Sequence, residues 1–328
     1  MRSADGSWER FDDYVIDFAL DASERGNRVA LVTLVEIDGS CPRQLGAQMA
    51  VSADGDWVGY LSGGCIERAV VGEALAAIER NEGRRIRYGK GSKYLDIQLP
   101  CGSAIELSFD VNLTKRDFEM IDTSLRRRQS ACLEIPHFRD SAIHLTMMRR
   151  YRPRRRLIIV GVGPAALQLA RLGQMSGFEV QIYSPDQMTT ASAGHHGLSA
   201  TVISGANSIP VFEADERTAI TFMFHDHEWE RKLIPQVLGT NAFYIGAMGS
   251  RRTHQQRLRT LETLGTDASL LGRIRGPAGL FSGAKNAYEV ATSILAEIMQ
   301  MDRSCNVTDL FIDERSCTEK ITVQAIAE

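Results

Sequence analysis

Three stretches in the first third of the chain put cysteine beside glycine. In Ser62-Gly63-Gly64-Cys65-Ile66-Glu67, two glycines follow a predicted strand, and the cysteine falls on the first turn of a predicted helix. The helix dipole there favours a thiolate, and the glycines leave the sulfur approachable. The loop Gly39-Ser40-Cys41-Pro42-Arg43, with Gly46, carries a cation and a second thiol, although Gly-Ser-x-Pro also reads as an ordinary turn. Leu99-Pro100-Cys101-Gly102 is a turn entering a strand, and its cysteine reads equally well as a buried hydrophobe or as a third reactive thiol.

The second half suits anions. Gly161-Val162-Gly163-Pro164-Ala165-Ala166 follows an apolar strand and opens a helix, the context of a dinucleotide fingerprint with alanine for its last glycine. An NAD(P) enzyme places an acid after the next strand; here the order is Tyr183-Ser184-Pro185-Asp186, with serine at that place. The turn therefore reads either as a dinucleotide site or as a Rossmann turn for another phosphate-bearing ligand. Further on, Tyr244-Ile245-Gly246-Ala247-Met248-Gly249 leads into Ser250, a good N-cap, with Arg251 and Arg252 at the positive helix end. His225-Asp226-His227-Glu228 has metal-like residue types, but its histidines are two apart and no third ligand is evident, so ligand contact or capping is the better reading.

Positioning these groups takes two domains, which 328 residues allow. Residues 1–148 read as an α+β domain. It contains helices over 11–22, 65–80 and 117–127, and strands over 28–37, 47–52, 57–61, 86–88, 104–111, 131–136 and 143–147. Residues 149–156 hold six arginines and a proline and read as a solvated linker, or else as a basic lip for an anion. Residues 157–301 alternate strands and helices in the rhythm of a doubly wound parallel sheet, closed by a helix over 286–299. The tail, 302–328, shows no periodicity. A net charge of −3 gives no pull toward nucleic acid or a membrane. No apolar run reaches the ~18 residues of a membrane helix, and the polar first ten residues lack a signal core, so a cytoplasmic protein with free thiols is expected.

Taken in order, these motifs resemble the XdhC/CoxI family of molybdenum-enzyme accessory proteins. The matching residues are Gly39-Ser40-x-Pro42-Arg43-x-x-Gly46, Gly63-Gly64-Cys65-Ile66-Glu67, Pro100-Cys101-Gly102, Gly161-x-Gly163, His225-Asp226-His227-Glu228, Tyr244 to Arg252, Pro277-x-Gly279-Leu280 and Gly283-Ala284-Lys285, then the helix around Glu289 to Ile298. The chain departs from the family pattern at Cys41, where serine is usual, and at Ser184-Pro185-Asp186, where Asp-Pro-Arg is usual. The resemblance implies an N-terminal cofactor-binding domain followed by a Rossmann-like domain. It implies a chaperone without turnover of its own that binds the molybdenum cofactor, in its molybdopterin form with or without a nucleotide, and delivers it to an apo molybdenum hydroxylase. It also implies a homodimer, a cysteine desulfurase as a further partner, and Cys65 as the contact to molybdenum. Gly63, Gly64, Arg43, Cys101, Gly161, Gly163, Ser250 and Arg251 are the other expected cofactor-binding residues. Two alternatives stay open: an NAD(P)-dependent oxidoreductase using the second domain, and a thiol-based sulfur-transfer enzyme using Cys65.

Overall fold

The computed structural model describes residues 7–64, 66–92, 102–136, 146–204, 213–224, 228–304 and 309–313. The elements run α1 (Val15–Glu24), β1 (Val29–Asp38), β2 (Gln48–Ser52), β3 (Trp57–Gly59), α2 (Glu67–Arg80), β4 (Arg84–Gly89), β5 (Ala104–Asp110), α3 (Lys115–Arg126), β6 (Ala131–Ile135) and β7 (Thr146–Tyr151). They continue with β8 (Arg156–Gly161), α4 (Gly163–Met175), β9 (Glu179–Ser184), α5 (Gln187–His195), β10 (Ser199–Val202), β11 (Thr218–Met223), α6 (Glu228–Leu238), β12 (Tyr244–Ala247), α7 (Arg251–Thr263), α8 (Ala268–Leu271), β13 (Ile274–Arg275), α9 (Ala287–Ser304) and β14 (Leu310–Asp313). The chain divides into two compact units, one of residues 1–153 and 308–328, the other of residues 154–307.

The first unit is built on an antiparallel sheet of order β3-β2-β1-β5-β4. Alternation along β1 sends Val32 and Leu34 to one face, where they pack with Val70, Ala74 and Ala77 of α2. Val29 and Leu31 go to the other face, against Phe18 of α1 and Phe118 and Ile121 of α3. A second antiparallel sheet of order β14-β7-β6 adds Ile135 and Leu310 over Val35. At the β4 edge, Arg85 bridges Glu106 at 2.6 Å and Glu36 at 2.7 Å, and Arg87 bridges Asp38 at 2.6 Å. The last of these pins the end of β1 where the Gly39 loop begins.

The arginine run departs from its linker reading. Arg149 and Arg150 lie within β7, and Arg156 begins β8. Their charges are not left to water. Asp309, from the far end of the chain, receives Arg149 at 3.3 Å and Arg152 at 3.1 Å. Arg150 lies over the Phe311 ring at 5.1 Å. The tail also departs from expectation, because α9 runs on to Ser304 and β14 pairs along β7 from Arg149 to Thr146.

The second unit holds a parallel sheet of order β10-β9-β8-β11-β12-β13, the doubly wound arrangement with its strand order reversing between β8 and β11. Leu157 and Ile159 pack with α4 and α9, while Ile158 and Val160 face Leu233, Ile234 and Val237 of α6. The switch point is tight at Gly161, where an added Cβ would stand 2.4 Å from the carbonyl oxygen of Met223. That neighbour is backbone and cannot rotate away. Gly161→Ala is expected to cost about 1–3 kcal/mol as β8 and β11 are pushed apart, read as a lower urea midpoint with an unchanged slope.

Candidate functional site

Cys65 and Cys101 lie outside the described residues, as do His225, Asp226 and His227. The segments on either side of residue 65 are described, and one carboxylate organises them. Glu67, the first residue of α2, is 3% exposed. Its Oε1 accepts the Leu61 and Ser62 N–H groups at 3.0 and 2.9 Å, and its Oε2 accepts the Ile66 N–H at 3.1 Å. The Ser62 hydroxyl donates to the same carboxylate at 3.2 Å. Burial works against the charged form of Glu67, yet the donors from Ser62 and Leu61 prevail and hold its pKa below the ordinary value of 4.5. The backbone on either side of residue 65 is thus tied to one anion, and Gly63 and Gly64 lead out from Ser62 as an arch. Gly63 and Gly64 take φ of +88° and +114°, with nothing within 4 Å of an added Cβ on either. The glycines serve backbone conformation and leave open space around the arch.

The loop after β1 reaches this segment, and the residues entering β5 reach that loop. The Cys41 thiol, half-buried, lies 3.8 Å from the carbonyl oxygen of Leu61 and accepts the Arg43 N–H at 3.5 Å. An added Cβ on Gly39, at φ +95°, would sit 3.0 Å from Cβ of Ser103, the second residue after Cys101. Motifs far apart in sequence therefore meet at one end of the five-stranded sheet. Arg43 is engaged within the protein. Its guanidinium lies 4.0 Å from the Tyr60 ring centroid, donates to the Tyr60 hydroxyl at 2.9 Å and pairs with Asp13. It braces the loop against the residue preceding Leu61, a role its place in the motif does not disclose.

In the second unit, the Gly161–Gly163 turn is engaged too. Gly163, at φ +83°, donates its N–H to the Thr189 hydroxyl at 2.9 Å. That hydroxyl donates onward to Asp186 at 2.5 Å, and Asp186 caps α5 through the Met188 and Thr189 N–H groups. Ser184, at the place where a ribose would be read, is fully buried and accepts the Asp186 N–H. Ser250 caps α7 by accepting the Thr253 N–H at 3.1 Å, leaving Arg251 and Arg252 exposed at its positive end. The Tyr244 motif is scaffolding. Gly246 leaves room for the Tyr244 ring, whose hydroxyl donates to Glu297 of α9 at 2.6 Å. Burial and the Glu297 carboxylate both raise that phenol's pKa. The Gly279 N–H donates to the same carboxylate at 2.8 Å, and Ser293 holds Phe281 through both its N–H and its carbonyl. Glu297 and Ser293 carry no assigned role in the sequence; their signal is i, i+4 spacing on α9 opposite a glycine-rich loop. Among the described residues no cluster of three or more His, Cys, Asp or Glu is arranged to hold a metal ion, and no helix is long and apolar enough to cross a membrane.

Two family models match the chain: the XdhC and CoxI family over residues 22–89, and the XdhC Rossmann domain over residues 157–298. The first span contains the Gly39 and Cys65 motifs, and the second contains the Gly161 and Tyr244 motifs. The chain is 34% identical over 300 residues to the molybdenum cofactor insertion chaperone PaoD of Escherichia coli (strain K12), covering 88% of each. It is 25% identical over 329 residues to a probable xanthine dehydrogenase subunit of Bacillus subtilis (strain 168), covering 87% of this chain and 96% of that one. A crystal structure of a xanthine dehydrogenase from Bacillus halodurans has the same fold, with a TM-score of 0.71 at 21% identity over 89% of this chain and 96% of that chain. With motifs in order along both units and a relative at 34% identity over nearly the whole length, the chain belongs to the XdhC and CoxI family.

Proposed function

We propose that the protein is a molybdenum cofactor chaperone, that the arch held by Glu67 presents Cys65 to the metal or its dithiolene, and that the cargo passes to an apo molybdenum hydroxylase. The observation that carries this reading is the meeting of Cys41 with Leu61 and of Gly39 with Ser103 at one sheet end, beside a Gly63–Gly64 arch where an added Cβ would meet nothing within 4 Å. Thiolates suit a soft metal–sulfur centre, and an arch without side chains admits a bulky ligand to the sulfur. The 34% identity to the chaperone PaoD supports the same cargo. The exposed Arg251 beside the Ser250 cap is assigned to anionic groups such as phosphate. A cysteine desulfurase and a second copy of the chain are the further partners of this reading.

Purified protein loaded with the cofactor is expected to retain pterin through gel filtration, measured by the fluorescence of the released pterin. Cys65→Ala is expected to lower retention at least tenfold while thermal unfolding stays unchanged. Equal retention by that variant removes Cys65 from the site.

A further inference from the structure

An open pocket of about 320 Å³ lies between α6 and α7 in the second unit, within the size range of small-molecule sites. Its floor is the ion pair of Arg257 and Glu230, joined through two contacts at 2.7 and 3.1 Å and almost fully buried. This pair is neutral as a unit and rigid, because Arg257 also donates to the Met248 carbonyl at 2.6 Å. The rim is different. Arg252 lines the pocket, and no hydrogen bond or ion pair joins its guanidinium to the described residues. Arg231 lines it as well, bridged at 3.1 Å to Glu228, an exposed pair of the kind that contributes little. Thr253, Gln256 and Thr260 add neutral donors along α7, and Leu261 adds an apolar wall. The charge facing the opening is positive, at the helix end whose dipole has the same sign.

We infer that this pocket binds a phosphate monoester carried on a small organic body, with the phosphate on Arg252 and the body over Thr260 and Leu261. Phosphate is favoured because its three oxygens accept from a guanidinium fork, a hydroxyl and an amide at once. A pocket of this volume holds a phosphorylated ring rather than a free ion. The inference goes beyond the chaperone reading and does not rest on Cys65. The assay contains no molybdenum cofactor, so its failure leaves cofactor binding at the arch untouched.

The test is calorimetry of the 328-residue chain with phenyl phosphate and, separately, inorganic phosphate. Phenyl phosphate is expected to bind saturably, one per chain, at least tenfold more tightly than inorganic phosphate. Arg252→Gln is expected to weaken it at least tenfold, and Thr260→Trp, which fills the pocket from its wall, to abolish it. Arg259→Gln removes an exposed charge from the same helix outside the pocket and is expected to change affinity less than twofold. Absence of saturable binding overturns the inference. So does equal weakening by Arg252→Gln and Arg259→Gln, which signals bulk charge, or inorganic phosphate binding as tightly, which signals the helix end alone.

Discussion

Glu67→Gln is expected to lower cofactor retention at least tenfold and to destabilise the first unit by about 2–4 kcal/mol. The carboxylate accepts three backbone N–H groups and a hydroxyl inside a site that is 3% exposed. An amide of the same shape offers one oxygen and turns an NH2 toward the remaining N–H donors, so buried donors face a donor. The loss differs in kind from that of Cys65→Ala, which removes the sulfur and spares the frame. Urea unfolding measures the loss of stability, and released pterin measures retention. The pH dependence has a defined sign. The folded pKa of Glu67 lies below the ordinary value of 4.5, so its contribution is complete above that value. It is lost as pH falls through the folded pKa, and the Gln variant should lack that part of the acid sensitivity. A Glu67→Gln protein as stable and as retentive as the parent would dismiss the clamp.

The second large effect lies at Arg257. Arg257→Ala is expected to cost about 3–5 kcal/mol, because Glu230 would be left charged at 1% exposure and the Met248 carbonyl would lose its donor. Arg257→Met combined with Glu230→Leu is expected to recover most of that, since two apolar side chains of similar size need no counter-charge. Chemical unfolding of the parent, Arg257→Ala and the double variant gives the comparison. A double variant no better than Arg257→Ala would mean that the hydrogen bond to Met248, rather than the ion pair, holds the turn.

What is legible in the sequence depends on whether the signal is local. The Gly161 strand–turn–helix can be read from a short stretch, because its apolar run, glycine turn and helix opening are adjacent in sequence, although the contacts that fix it come from Met223 and Thr189. The α5 helix escapes a reading by periodicity: its apolar residues do not line one face, and only Thr189 and Ala193 are buried. Cap chemistry at Asp186 forms it instead. The arginine run suggests a linker because six cations without partners in sequence look solvated, while Asp309 supplies the counter-charge from the far end of the chain. Within the candidate site, residue types can be read and roles cannot. Arg43 looks like a ligand-facing cation and is bound to Asp13 and Tyr60. Glu67 sits in plain view inside its motif, but a carboxylate that closes a loop on itself leaves no spacing rule to find.

The strand β14 gives the molecule an unusual covalent topology. Because it pairs with β7, the Rossmann unit is an insertion within the first unit rather than a bead on a string. A gene fragment stopped at Pro153 would encode a first unit lacking its last strand, with the β7 edge bare and Arg149 and Arg152 deprived of Asp309. Dissecting the protein into parts therefore calls for excision and splicing, with residues 308–313 rejoined behind residue 153 by a short artificial turn, and not for simple truncation.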